Sequence, residues 1–423
     1  MTSKKTNLVL LTSNYPFGSG ESFLDYELDY LDAYFRKIVI ISSNIKDAPR
    51  KELGDRFTIY RYNTEATLAD WLSLPIILIR QFKVLQALLK DELNFRKSVS
   101  QSLSNKQKRW ILKRALKAID LQTFVKGILA KEQLKSNTML YSYWLNTGAH
   151  AISLIDGQGI KKIARGHGSD VYEYVMPAGI HPMHHHLSNH LDGIFFISEF
   201  GKGYFEKRFP SKGQNTFLSR LGISIGENES KSFKDELEFT IVSCSNVNRL
   251  KRLNLIIDGL KDLESDQTIR WIHFGDGPLM KDIKAYAEKN LKDIPNIFYS
   301  FEGQVTNQEV HAFYLGNRVD LILNVSETEG IPVSIMEAQA YGIPAIATDV
   351  GGSSEIVNQE TGILLEKEFQ NEQLVSALNS FLLMKEKEKN EFKDRCKTHW
   401  NEKFNARTNF TQFIKDVDGI ITS

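Results

Sequence analysis

Cysteine is nearly absent: the 423 residues contain two, Cys244 and Cys396. Two thiols make neither a disulfide framework nor a paired-cysteine metal pattern, and fit a chain kept in a reducing compartment. No window offers eighteen uninterrupted apolar residues, so a membrane-spanning helix is not expected. The polar start, Met1 to Asn7, followed by the short run Leu8 to Leu11, lacks the pattern of a signal peptide, and a cytoplasmic protein is the expectation. An excess of one charge is missing too. The 53 Lys and Arg against 52 Asp and Glu leave a net charge of +1, which excludes a general polyanion binder but leaves room for local asymmetry. No repeat or low-complexity tract is found. What is present is a 42% hydrophobic fraction, ample for conventional cores, in a chain long enough for two or three domains.

The most informative stretch is Ser326 to Glu355, SETEGIPVSIMEAQAYGIPAIATDVGGSSE. Before it, Asp320 to Val325 is a short apolar run without helical period, the pattern of a strand buried on both faces. Pro332 has a preset φ and no N–H to lose, so it suits the first turn of a helix whose apolar positions are Val333, Ile335, Met336 and Ala340. Gly342 stops that helix in a left-handed cap, and Pro344 to Thr348 is a second buried strand. Gly351 and Gly352 then open a loop that Ser353 or Ser354 is placed to cap into another helix. Two helix N-termini aimed into one crevice favour an anion such as phosphate. Glu329 lies just before the helix and Glu337 about one and a half turns into it, so they reach opposite ends of an elongated ligand. A pyrophosphate between a sugar and a ribose explains both carboxylates as acceptors of hydroxyl hydrogen bonds, and the ligand implied is a nucleotide sugar.

Here the sequence resembles the retaining glycosyltransferases of family 4. Their signature is Glu, seven residues, Glu, a small-residue helix end and GG-x-x-E, which this chain carries as Glu329, Glu337, Gly342, Gly351, Gly352 and Glu355. The resemblance implies the GT-B fold: α/β, with two Rossmann-like doubly wound domains facing a cleft. It implies that Glu329 contacts the donor sugar and Glu337 the ribose, with Gly330, Ile331, Pro332 and Val333 around the diphosphate. It also implies that Lys251 neutralises the diphosphate together with an arginine. Asn246 occupies the usual arginine position and Arg249 lies two residues before Lys251, so which arginine takes part is left open.

In the first domain, the strand Leu8 to Leu11 leads into TSNYPFGSGES, where Gly18 and Gly20 fit either a tight turn or a phosphate loop, and Ser22 is placed to cap the helix that follows. Related polysaccharide transferases carry a similar YPFG-x-GE-x-F loop at the interdomain cleft, which favours donor contact. Strands at Thr138 to Tyr143 and Lys162 to Ala164 follow. The second leads into Arg165, Gly166, His167, Gly168, Ser169 and Asp170, a glycine-flanked His, expected to be exposed, at the end of a strand where α/β proteins hold ligands. A comparable H-G-x-D in the family puts its His against the donor sugar, which gives that role to His167 and a supporting one to Asp170. The cluster His181, His184, His185, His186 and His190 has neither HExxH spacing nor paired cysteines, and a solvated loop is preferred to a metal site.

Apolar residues nearly vanish from Ile225 to Asp235, the composition of an interdomain link. We expect an N-terminal acceptor-side domain over 1–224 and a C-terminal nucleotide-sugar domain over 225–400, with strands near Phe239, Trp271, Asn296, Leu321 and Ala345 and a turn at Gly275. The Gly275 turn, at a strand's end, is expected to contact the donor, and a closing helix over 401–423 crosses back to the first domain. The expected activity is retaining transfer of a sugar from a UDP- or GDP-linked donor to a hydroxyl of a glycan or lipid-linked glycan, in cell-surface polysaccharide synthesis. No metal or further cofactor is expected. A nucleotide-sugar epimerase and a non-catalytic partner subunit are the alternatives. Finally, Arg80 to Lys135 holds fourteen Lys and Arg against Asp91, Glu92, Asp120 and Glu132, interleaved with Leu85, Leu88, Trp110 and Ile111. That is the pattern of amphipathic helices with a basic face, suited either to solvent or to an anionic membrane surface.

Overall fold

The computed structural model describes residues 5–18, 21, 23–49, 52–63, 68–134, 136–211, 213, 215–225 and 238–423, with backbone alone over 68–80. They divide into two compact units, Met1–Leu221 with Thr408–Ser423, and Gly222–Arg407. Most of the expected link, from residue 226 on, lies outside the described residues, as do Gly20 and Ser22.

The first unit holds a parallel sheet of seven strands: β1 (Asn7–Thr12), β2 (Ile38–Ser42), β3 (Phe57–Arg61), β4 (Thr138–Ser142), β5 (Ile160–Gly166), β6 (Gly193–Phe196) and β7 (Thr216–Leu218). Their order is β3-β2-β1-β4-β5-β6-β7. Side chains alternate between two cores, as the period of a strand dictates. Val9, Leu11, Val39, Ile41 and Leu140 enter one layer, and Leu8, Leu10, Ile38, Ile40 and Tyr141 the other. Phe413, Val417 and Ile420 of the closing helix, Ala406–Thr422, complete the second layer. A buried ion pair crosses that layer: Arg165 and Glu27 meet at 3.1 Å, both 0% exposed. Tyr141 donates its hydroxyl to Glu27 at 2.9 Å and accepts from Arg165 Nε at 2.8 Å. The guanidinium also lies over the Phe413 ring at 4.6 Å. Removing either partner strands a buried charge, so the strand end that carries His167 is held firmly.

The basic stretch forms two long helices, Leu68–Ser98 and Asn105–Lys131, the second opened by a capping box between Ser104 and Gln107. One set of their apolar residues faces inward: Leu85, Leu88, Ala115, Ala118 and Ile119 share one core with Met183. The basic face is also interrupted. Arg96 is buried at 1% exposure, where it meets Glu92 and Glu173 at 2.7 Å each. Arg96 is thereby set apart from the expected basic face, since charge that has internal partners does not belong to a surface. Among the described residues no helix is long and apolar enough to cross a membrane.

The second unit repeats the winding with β8 (Glu238–Cys244), β9 (Thr268–Phe274), β10 (Ile297–Gly303), β11 (Leu321–Asn324), β12 (Ala345–Thr348) and β13 (Gly362–Leu365), in the order β10-β9-β8-β11-β12-β13. In both sheets the order in which strands are added reverses beside the first strand, between β1 and β4 and between β8 and β11. That is where such sheets open a crevice at the strands' carboxyl ends. The closing helix starts at Ala406 rather than 401, because Ile223 exchanges backbone hydrogen bonds with Phe404 and Ala406 and keeps that segment with the second unit. The helix expected after Gly352 is a single 3-10 turn, Ser353–Glu355, since Asn358 and Thr361 close a turn just beyond it.

Candidate active site

In the second unit the loops after β8 and β11 are joined side by side. After β8, Asn248 accepts a hydrogen bond from Leu250 N at 2.9 Å and caps the turn Arg249–Lys251. Lys251 Nζ reaches Glu329 Oε1 at 2.5 Å, and Asn324 donates to the same oxygen at 3.2 Å. Glu327 N donates to Leu250 O at 2.7 Å, tying the two loops through their backbones. Arg252, in the left-handed region at φ 49°, bonds the carbonyls of Val325, Ser326 and Lys367. This arginine went unnoticed in the sequence, where Arg249 is the candidate. Arg249 is exposed and does not join the cluster.

The double glycine holds the loop from the other side. Gly351 sits at φ 57°, and a Cβ there would lie 1.8 Å from the Glu329 carbonyl oxygen. Gly352 N donates to Gly330 O at 2.9 Å. Gly275 acts in the same way, since a Cβ on it would meet Ser245 O at 1.9 Å. Ile331 and Pro332 are buried, and Pro332 precedes a helix, Val333–Ala340, that no side chain caps. The helix thus begins four residues after Glu329, and the positive end of its dipole closes the loop that carries that carboxylate.

Glu337 lies within that helix at 4% exposure and accepts a hydrogen bond from Asn307 Nδ2 at 2.6 Å. His311 Nε2 stands 3.8 Å away. Burial raises the Glu337 carboxyl to about 7, against the lowering effect of Asn307. Neither Asn307 nor His311 belongs to any motif in the sequence; they arrive on a separate helix, Asn307–Gly316.

In the first unit, Gly166 ends β5 and His167 follows, 7% exposed rather than on an open loop. Its ring packs against Trp144 at 4.4 Å, Tyr143 at 5.0 Å and Phe23 at 5.7 Å, three side chains from two distant segments. Asp170 accepts from the amides of His167, Gly168 and Leu145 at 2.8, 3.0 and 2.8 Å. Burial works to raise its carboxyl, but His167 and these amides outweigh it and bring it down to about 2. Asp170 therefore shapes the loop as a fixed anion. Gly18 adopts φ 60°, and a Cβ there would lie 2.7 Å from Asp47 Oδ2, so a turn requires this glycine. The amides beyond β1 already have an anion. Glu21 accepts from Ser13, Asn14 and Tyr15 N at 2.9, 2.7 and 2.6 Å and from the Trp144 indole.

The histidine cluster is not a solvated loop. His181 stacks on His184 at 4.4 Å, His185 on Phe95 at 4.5 Å, and His186 on His190 at 3.8 Å. Burial lowers the proton affinity of His181, His184 and His186. Among the described residues no group of three or more His, Cys, Asp or Glu is disposed to hold a metal ion.

The fold is GT-B. It is shared with Anabaena HepE in complex with UDP and glucose (TM-score 0.60, 14% identity, 97% of this chain and 99% of that one). It is shared equally with a mutant of S. aureus TarM in complex with fondaparinux, alpha-GlcNAc-glycerol and UDP (TM-score 0.65, 12% identity, 98% and 100%). Residues 224–399 match the family of glycosyl transferases group 1. Among curated relatives, WcaL of Escherichia coli (strain K12), a glycosyltransferase assigned to colanic acid biosynthesis, is 25% identical over 222 residues, 51% of this chain and 53% of its own length. The O-antigen biosynthesis glycosyltransferase WbnH of Escherichia coli is 34% identical over 92 residues, 22% and 24%. The chain thus spans about half the length, or less, of the curated relatives it matches.

The raised Glu337 carboxyl has a measurable consequence for stability. The folded protein keeps this proton to about pH 7, whereas the reference carboxyl loses it near 4.5. The contribution is therefore complete below the lower value and lost as pH rises through the upper one. In urea unfolding between pH 4.5 and 8, Glu337→Gln should gain progressively on the wild type as pH rises. A difference independent of pH would contradict the buried, protonated state.

Proposed function

We propose that the protein is a retaining glycosyltransferase that moves a sugar from a UDP- or GDP-linked donor to a hydroxyl of a glycan or lipid-linked glycan in cell-surface polysaccharide synthesis. The observation that carries this reading is the Lys251–Glu329 pair at 2.5 Å beside the uncapped Val333–Ala340 helix. A cation paired with a carboxylate, on a loop that runs into an uncapped helix N-terminus, supplies the kinds of group that a departing diphosphate and the sugar hydroxyls require. The relatives named for colanic acid and O-antigen biosynthesis, and the fold shared with a protein solved with UDP and glucose, support the same reading.

On this account the diphosphate takes Lys251 from Glu329. The released carboxylate then accepts hydrogen bonds from the donor sugar, while Glu337 accepts them from the ribose. His167 presents its ring to the sugar, held by Asp170 and the surrounding aromatic side chains. Retention follows from front-face substitution, in which the leaving phosphate takes the acceptor's proton as the new glycosidic bond forms on the same face. The charge developing on the phosphate is met by Lys251 and the Val333 amide, without a metal or further cofactor.

Incubation with a panel of UDP- and GDP-sugars should release nucleotide from one of them. Glu329→Gln should lower turnover more than donor affinity, because the carboxylate acts mainly as the bond to the phosphate breaks. Conversion of the donor into an isomer with its nucleotide attached would indicate an epimerase, and no change in any donor a non-catalytic subunit.

We further propose that the helix pair Leu68–Ser98 and Asn105–Lys131 rests on an anionic membrane surface. Phe82, Leu93 and Leu112 are 57%, 46% and 40% exposed there, in helices that also expose Lys83, Lys90, Lys108 and Arg109. With about 1 kcal/mol for each basic residue near the surface, replacing Lys83, Lys90, Lys108 and Arg109 by Gln should abolish salt-sensitive binding to anionic vesicles. Wild-type protein that ignores such vesicles at low salt would end this proposal.

A further inference from the structure

A cavity of about 640 Å³ opens in the first unit, where the carboxyl ends of β1, β2 and β4 meet the Asn105–Lys131 helix. Its position is the reversal point of this sheet, apart from the residues assigned above to the donor. Two kinds of side chain dominate its wall. Trp110, Trp144 and Tyr62 supply aromatic surface, and Lys113, Arg114 and Lys117 supply three cations from one helix. One carboxylate, Asp120, shares the lining, and it already accepts a hydrogen bond from the Tyr62 hydroxyl.

Arg114 is crowded by like charge rather than neutralised. Arg114 donates to Thr147 Oγ1 at 2.7 Å and lies over the Trp110 ring at 4.6 Å, and no carboxylate is found acting on it among the described residues. Burial, with no compensating charge, lowers its proton affinity. Lys117 is lowered in the same direction by burial and then by the charges of Lys113 and Arg114. The Trp110 indole nitrogen is buried without a hydrogen-bond partner. A half-buried guanidinium with only neutral partners, beside a second and third cation, is an arrangement that an incoming anion relieves. The backbone cannot take that part, because the Ser13 and Asn14 amides on the same wall are already bonded to Glu21.

From this juxtaposition we infer that the cavity binds an anionic group, a carboxylate or a phosphate, on the acceptor glycan. The inference rests on the glycosyltransferase reading and narrows its acceptor to acidic or phosphate-bearing saccharides. Arg114 offers a planar fork to a carboxylate or phosphate, and Lys113 and Lys117 add point charges. The aromatic walls receive the apolar face of a sugar ring. Trp144 also connects this cavity to His167, since the same indole lines the cavity and packs against the imidazole at 4.4 Å. An acceptor sugar seated on Trp144 is thus one ring away from the residue assigned to the donor.

The test is equilibrium binding, followed by tryptophan fluorescence and by ligand-observed NMR. Three probes separate the sources of negative charge: a glucuronate-terminated disaccharide, its neutral glucose-terminated counterpart, and a sugar diphosphate on a short prenyl chain. Wild-type protein should bind at least one anionic probe tenfold or more tighter than the neutral one, and the preference should shrink as salt is raised. Preference for the glucuronate identifies an acidic-sugar acceptor, and preference for the diphosphate a lipid-carrier headgroup. Arg114→Met and, separately, the double variant Lys113→Gln with Lys117→Gln should each lose most of this preference. Arg114→Lys should retain part of it. Urea unfolding of each variant identifies any that fails to fold, and the double variant then decides alone, because its side chains are the more exposed. Equal affinity for charged and neutral probes, or an anion preference intact in the folded double variant and in Arg114→Met, overturns the inference. Release of nucleotide from donor sugars is a separate measurement. If it is observed while the anion preference is missing, the acceptor assignment fails and the glycosyltransferase reading stands.

Discussion

The close approach of two backbones, Gly351 against the carbonyl of Glu329, sets the geometry on which the second unit's site depends. At 1.8 Å from that oxygen no Cβ has room, and the left-handed φ of 57° disfavours a side chain independently. The loop is gripped on its other side by Arg252, which bonds the carbonyls of Val325 and Ser326. Between these two constraints the Glu329 carboxylate is delivered to Lys251 from a loop that has little freedom to rearrange. Preorganisation of this kind means that the cost of ordering the site is met on folding, so less is lost when a ligand arrives.

Charge is arranged in the two units by different means. In the second unit Lys251 and Glu329 balance each other, and a pair of this kind can exchange partners when a more strongly charged anion enters. Glu337, next to a neutral Asn307 and a His311 whose proton affinity burial lowers, keeps its own proton instead. In the first unit Glu21 occupies the amides that follow β1, while the burial that opposes ionisation of Asp170 is overcome by three backbone N–H groups and His167. These carboxylates act as structural anions. Arg114, whose contacts are the Thr147 hydroxyl and the Trp110 ring, remains as charge available to a ligand in that unit.

Much of this was legible in the sequence where burial is local and periodic. Strands such as β1, β4 and β12 are buried along nearly their whole length, and their apolar runs announce them. Strands β3 and β7, partly exposed at the sheet edges, and the four-residue β13 carry no such run and went unread. The same division holds at the site. Glu329, Glu337, Gly351 and Gly352 could be found because one helix and two turns fix their spacing. Arg252, Asn307 and His311 reach the site only through tertiary packing. The burial of His167 was misread for the same reason: its neighbouring glycines suggest an open loop, but Phe23, Tyr143 and Trp144 close over it from elsewhere in the chain.

The central claim is that Lys251 leaves Glu329 for the diphosphate of a nucleotide-sugar donor. Calorimetric titration of uridine, UMP and UDP, with the guanosine series in parallel, into wild-type protein and Lys251→Met measures this directly. A charge-assisted contact of about 1.5–3 kcal/mol predicts that the step from monophosphate to diphosphate strengthens wild-type binding by roughly tenfold or more for one of the two bases. That step should largely disappear in Lys251→Met, with nucleoside affinity unchanged. A diphosphate step of full size in the variant, or none in the wild type for either base, would contradict the account.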